Sequence, residues 1–162
     1  MSRSVCFLGI FLILVTGSVN AQNNQDIGSS ITPEQRRHAL VIDIDTRVLN
    51  DNQKIIWNEV QRKIGIPGVP VSIRLVGTNI IVDVQFISTI HPNGNVLVAH
   101  VQIWINSQGD TITYHTSVQA IPVTFNEPFY FYPLGTSNPS IELLMTIYPY
   151  NEIFDTVSSL TQ

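Results

Sequence analysis

The sequence predicts an all-β protein: a single-domain antiparallel β-sandwich of about eight strands, immunoglobulin-like in general architecture and preceded by a signal peptide. Three observations carry that expectation. From Ala39 onward apolar and polar residues alternate with a period of two. Turn residues punctuate the alternation roughly every ten positions. Val, Ile, Thr and Tyr recur while Ala and Leu are sparse, which suits a pleated, half-buried surface. Composition agrees: of 162 residues 44% are hydrophobic and 12% charged, about half the usual charged share of roughly 25%. A disordered tail protein would be richer in charge, and a coiled coil would need Glu, Lys and Arg along its flanks.

Taken in order, the chain begins with Arg3, an apolar run Val5–Val15, and small residues Val19 and Ala21 placed for cleavage. Residues 1–21 are therefore expected to be an export signal; the run is shorter than the roughly 20 apolar residues that cross a bilayer. Cys6, the single cysteine, lies in that run. The mature domain has no thiol, so it must rest on its apolar core, and thiol nucleophiles and cysteine-based zinc sites are excluded. No Asn-X-Ser/Thr acceptor occurs, and a bacterial periplasmic or secreted location is expected. Residues 22–38 read as a flexible polar leader, 39–150 as the sandwich, and 151–162 as a tail. Ile153, Val157 and Leu160 in that tail have helical spacing after Asn151, so it docks as a short helix or frays.

Within the sandwich, Leu40–Val48 alternates Leu40, Ile42, Ile44 and Val48 against Asp43, Asp45 and Arg47. Residues 54–64 fit a helix through Ile56, Val60 and Ile64, with Gly65 as its stop, and fit a strand as well; Trp57 and the short connection before it favour a hairpin strand. Between Val71 and Ala120, turns at Gly77-Thr78, His91–Gly94 and Gln108-Gly109 define a four-stranded meander. Its registers place Val71 opposite Val84, Ile73 opposite Val82 and Leu75 opposite Ile80. They then set Val84 against Val101, Val82 against Ile103 and Ile80 against Ile105, and finally Ile103 against Tyr114 and Ile105 against Ile112. One face is thereby apolar and must be covered by a second sheet. Phe129–Tyr132 and Ile141–Ile147 supply the last strands.

Those same registers align Asp83, Gln102 and His115 in one row of the polar face, with Gln85, His100 and Ser117 in the next. Asp83, His100 and His115 are thus candidate metal ligands, since imidazole and carboxylate both bind zinc, and Asp83, His100 and Ser117 can be drawn as a triad. A half-solvated sheet face carries such residues in any case, with Arg74 near Asp83 as an ion-pair partner. A triad also needs a buried orienting acid and an oxyanion hole. Asp43 and Asp45 share one strand face and read as solubilising charges. His38 and His91 lie in the leader and in a turn. No P-loop, nucleophile elbow, His-Glu-x-x-His or dinucleotide-binding motif is present. The formal net charge is −4, and every Lys and Arg lies at or before Arg74, so no basic patch announces nucleic acid.

Outward-facing aromatics are the remaining signal. Trp104, Tyr130, Tyr132, Tyr148 and Tyr150 are candidate binding residues, because Tyr and Trp give large contact area at low entropic cost. If Phe129 and Phe131 point inward, Tyr130 and Tyr132 point outward. The expectation is a non-catalytic exported protein without cofactor or stable membrane span, a binding or structural subunit with a cell-envelope protein partner, working through a sheet edge or these strands. A small-ligand or carbohydrate-binding module, and a metal-dependent enzyme at Asp83, His100 and His115, are the alternatives.

Overall fold

In chain order the elements of the computed structural model are helix α1 (Pro33–His38), strands β1 (Leu40–Leu49), β2 (Ile55–Gly65), β3 (Val71–Val76), β4 (Ile80–Thr89), β5 (Asn95–Ser107), β6 (Thr111–Val123), β7 (Phe129–Phe131) and β8 (Ile141–Pro149), and helix α2 (Tyr150–Ser158). The structure describes residues 32–107, 111–137 and 140–158. The signal-peptide expectation at 1–21 lies outside them, as do most of the leader and the Gln108-Gly109 turn. The strands form two four-stranded antiparallel sheets, ordered β2-β1-β8-β7 and β3-β4-β5-β6, an all-β sandwich. Among the described residues no helix is long and apolar enough to cross a membrane.

Alternation builds the core. On β1, Leu40, Ile42, Ile44, Thr46 and Val48 turn inward; Ile141, Leu143, Met145 and Ile147 of the neighbouring β8 do the same. The facing sheet contributes Ile73 and Leu75, then Val82, Val84 and Phe86, then Leu97, Ala99 and Val101. Each large side chain so buried contributes about 1.5–3 kcal/mol. Phe86 meets Phe131 across the layers edge to face, with ring centroids 5.6 Å apart, a favoured aromatic geometry. The inward pair Phe129 and Phe131 leaves Tyr130 outside, 51% exposed.

Residues 55–65 form a strand rather than a helix. The connection before it is closed by Asn50, whose side-chain oxygen accepts from the backbone N–H of Asn52 and of Lys54. Gln53 turns the corner at φ 57°. The apolar set of β2 faces the wrong way for a core strand: Trp57 packs inward with Glu59, Gln61 and Lys63, while Val60 is 70% exposed. An edge strand permits this, since its long polar side chains reach water around the rim.

The three turns of the meander meet three outcomes. At His91–Gly94 the register is as expected, Val84 opposite Val101 and Val82 opposite Ile103. Gly94 N–H donates to the His91 carbonyl, and His91 Nδ1 accepts from the Asn93 N–H, so His91 is a turn-closing residue. The first hairpin turns one residue later than expected, with Gly77 N–H donating to the Ile80 carbonyl. That sets Ile73 against Val84 and Leu75 against Val82. A shift of two keeps every side chain on its face. In the third hairpin Ser107 pairs with Thr111, so Ile105 faces Thr113 and Ile103 faces His115. A connection of odd length shifts the register by one and turns every β6 side chain over.

At the ends of β1 and β8 the two helices meet. The segment expected as a leader finishes as α1, capped by Thr32: its hydroxyl accepts from the Gln35 N–H, and the Gln35 side chain accepts from the Thr32 N–H, a capping box. Tyr150 opens α2, donates its N–H to the Ala39 carbonyl, and packs its ring 4.5 Å from that of Phe154.

Candidate functional site

The turned-over β6 disperses the histidine cluster. Asp83 now shares a row with Arg74, Gln102 and Thr116, and Gln85 with His100 and Val118, all on the outer face of their sheet. His115 and Ser117 lie on the opposite face. The expected convergence of Asp83, His100 and His115 therefore fails, and so does the Asp83–His100–Ser117 triad. His100 Nε2 instead shares a hydrogen bond with Thr116 Oγ1 at 3.1 Å. Among the described residues no three of His, Cys, Asp and Glu gather closely enough for one metal ion. Arg74 stands directly across from Asp83, yet no ion pair joins them, and Asp83 Oδ1 is buried without a partner.

The aromatic candidates are divided among separate surfaces. Trp104 is half-buried on the outer face of the β3–β6 sheet, its ring centroid 5.4 Å from that of Tyr114. Tyr130 and Tyr132 stack at 6.3 Å at the far side of the other sheet. Tyr148 lies on that sheet's outer face beside Val41, and Tyr150 belongs to α2. No single strip contains Trp104 and the tyrosine stack. Beside Tyr130 runs the charge network of the first sheet. Arg47 donates from Nε and Nη2 to Asp45 Oδ2, at 2.8 and 2.6 Å, and from Nη1 to Glu142 Oε1 at 3.2 Å. The hydrogen bond to Asp45 raises the Arg47 pKa above the ordinary arginine value; partial burial opposes this and Glu142 adds to it. Asp43 is held by Arg62 through two contacts, at 2.6 and 2.7 Å. Both carboxylates of the Asp43/Asp45 pair thus carry guanidinium partners.

Among the described residues, the fold leaves a sheet edge open. Four strands lie at edges, and an unpaired edge invites a foreign strand unless it is short, charged or bent. β7 spans Phe129–Phe131 only. β3 is short and carries Arg74. β2 carries Glu59, Arg62 and Lys63, two of them pointing inward, and a bulge at its start. β6 has none of these protections. It runs from Thr111 to Val123, and no charged residue occurs between Asp110 and Glu127. Every residue from 111 to 120 is exposed. Over that stretch neither face is buried, and only Ile121 and Val123, at the far end of the strand, pack against the core.

The backbone of that edge can be assigned. Asn106 N–H donates to the Asn79 carbonyl, so even-numbered residues of β5 direct their polar groups to β4 and odd-numbered ones to β6. Thr113, His115, Ser117 and Gln119 answer those bonds. Ile112, Tyr114, Thr116, Val118 and Ala120 therefore turn N–H and C=O to the free edge. Pro122, which has no N–H, falls in the same outward series, the place a strand tolerates proline. The side chains of the outward series lie on the outer face with Trp104; Ile112 is 68%, Tyr114 49% and Val118 66% exposed. Sequence reasoning missed this edge because it turned Ile112 and Tyr114 into the core. The uncharged stretch was the signal that could have found it.

Compared with protein-family models, with curated proteins and with solved structures, the chain matches none.

Proposed function

We propose that this protein is an exported, non-catalytic β-sandwich of immunoglobulin-like general architecture that serves as a binding or structural subunit of a bacterial cell-envelope assembly, periplasmic or secreted. It associates by accepting a strand at the free edge of β6. The observation that carries this reading is that β6 alone among the edges is long, uncharged and exposed on both faces. Five consecutive outward positions offer backbone donors and acceptors, and Ile112, Tyr114 and Val118 flank them with apolar surface. Strand addition uses main-chain hydrogen bonds for affinity and alternate side chains for selectivity. Export rests on residues 1–21. Carbohydrate binding through Trp104, Tyr130 and Tyr132 has less support, because those rings are divided between two outer faces.

The test places a photoreactive residue at Val118, and separately at Val60 and Tyr130, in intact cells. A discrete protein adduct from Val118 and none from Val60, on the charged edge, is the expected result. Adducts from Tyr130 alone would move the site to the tyrosine stack. No adduct from any position, with the protein recovered alone, refutes the subunit reading.

A further inference from the structure

We propose that the strand accepted at the β6 edge is the β6 of a second copy, giving a two-fold symmetric dimer whose sheets join into one of eight strands. The inference rests on the reading of β6 as an association edge and commits it to one occupant.

Self-pairing demands that the edge be complementary to itself under a two-fold axis. In antiparallel pairing about a residue c, position i meets position 2c − i, so an outward residue meets an outward residue for any whole-number c. The outward series Ile112, Tyr114, Thr116, Val118 and Ala120 is centred on Thr116. Pairing about Thr116 is the register that engages all five, Ile112 with Ala120, Tyr114 with Val118 and Thr116 with its own copy. It stops short of Pro122, where no donor exists. Each of these pairs exchanges two backbone hydrogen bonds, about ten in all. The side chains suit the register: Tyr–Val is an aromatic–β-branched pair and Thr–Thr a hydroxyl pair, both favourable across strands. On the other face Thr113 meets Gln119 and His115 meets Ser117, so no two histidines oppose one another.

Charge permits the approach. The chain is net negative, and Lys and Arg are absent after Arg74, so a copy presenting an acidic face would be repelled. The β6 edge has no Asp, Glu, Lys or Arg along its whole length. The size of the contact sets its strength. Thr111–Ile121 at about 3.4 Å per residue gives an edge about 37 Å long, and a sheet about 10 Å thick then presents roughly 400 Å² per copy. The total of roughly 800 Å² is below the 1,200 Å² or so of stable complexes. The dimer is therefore a weak, reversible one.

Sedimentation of the mature protein from about 1 μM to 1 mM should resolve monomer and dimer. Thr116→Pro removes an N–H that faces the edge and serves no bond to β5, so the fold should persist by circular dichroism while association weakens at least tenfold. Thr116→Ala keeps the N–H and should keep the dimer. Because the mature chain has no cysteine, Thr116→Cys should form an intermolecular disulfide under mild oxidation, the paired Cα atoms lying about 5.5 Å apart. Tyr114→Cys should not, since two such residues would lie far apart. A protein monomeric at 1 mM, or a dimer indifferent to Thr116→Pro, overturns the inference. A photo-adduct from Val118 to a different protein also overturns it while leaving the association edge intact, whereas the absence of any adduct removes both.

Discussion

Thr46→Val should stabilise this protein, against the usual direction of a core substitution. Thr46 lies on the inward face of β1, 1% exposed, between Glu59 on β2 and Leu143 on β8. Its hydroxyl is buried and has no hydrogen-bond partner. An unsatisfied buried hydroxyl costs about 1–3 kcal/mol, and valine puts a methyl group of similar size in its place. Part of that cost is recovered and a further apolar contact is gained, for a net of about 1–2 kcal/mol. A domain of this size shifts its melting temperature by about 4 °C per kcal/mol, so the expected rise is about 4–8 °C. Urea unfolding followed by circular dichroism should show a higher midpoint at unchanged slope. Thr46→Ser, which keeps the hydroxyl and deletes the methyl, should lose about 1 kcal/mol. Thr113→Val on the exposed β6 should stay within about 0.5 kcal/mol. A loss of stability in Thr46→Val would refute the reasoning, because it would mean that the hydroxyl has a partner worth more than the methyl.

Phe86→Ala should cost about 3–5 kcal/mol, since it empties the centre of the sandwich and breaks the contact with Phe131; a loss below 1 kcal/mol by denaturant titration would contradict the packing. Arg47→Ala strands Asp45 and Glu142, whose side chains are 22% and 13% exposed, and should cost about 1–2 kcal/mol, whereas Arg62→Ala, at a side chain 51% exposed, should cost less than about 1 kcal/mol. Because the folded-state pKa of Arg47 is raised above its unfolded value, the stability linked to its own ionisation is complete below the ordinary arginine pKa and declines only as pH rises beyond that. The Arg47→Ala difference should accordingly be equal at pH 7 and pH 10, and a fall between them would count against the pairing. Protein dialysed against zinc should retain far less than one equivalent by elemental analysis; tight equimolar zinc lost on His100→Ala would show that His115 stands beside His100 after all. In dilute monomer, amide exchange should alternate along β6, fast at Tyr114, Thr116 and Val118 and slow at His115 and Ser117; uniform protection would overturn the assignment of the edge.

The parts of the fold legible in the sequence are those where one face is buried. On β1, β4, β5 and β8, turning Leu40 or Val84 outward would expose a whole apolar row, so alternation alone assigns their faces and the register at His91–Gly94 follows. Even the misplaced turn at Gly77 left the faces of β3 unchanged, because the error was an even number of residues. β2 and β6 are different. Val60 stays outside on β2, and on β6 either set, Ile112 and Tyr114 or Thr113 and His115, can face inward at little cost because both sets are exposed. With no burial energy to choose a face, the choice passes to the length of one connection. The candidate site shares that division. Composition by itself determined that β6 carries no Asp, Glu, Lys or Arg and that residues 22–162 hold no thiol. Tertiary structure alone decided that β6 is an edge, which backbone groups it offers, and that His115 parts company with Asp83 and His100, since a residue's neighbours across a sheet depend on strand order and register, which alternation along one strand does not encode.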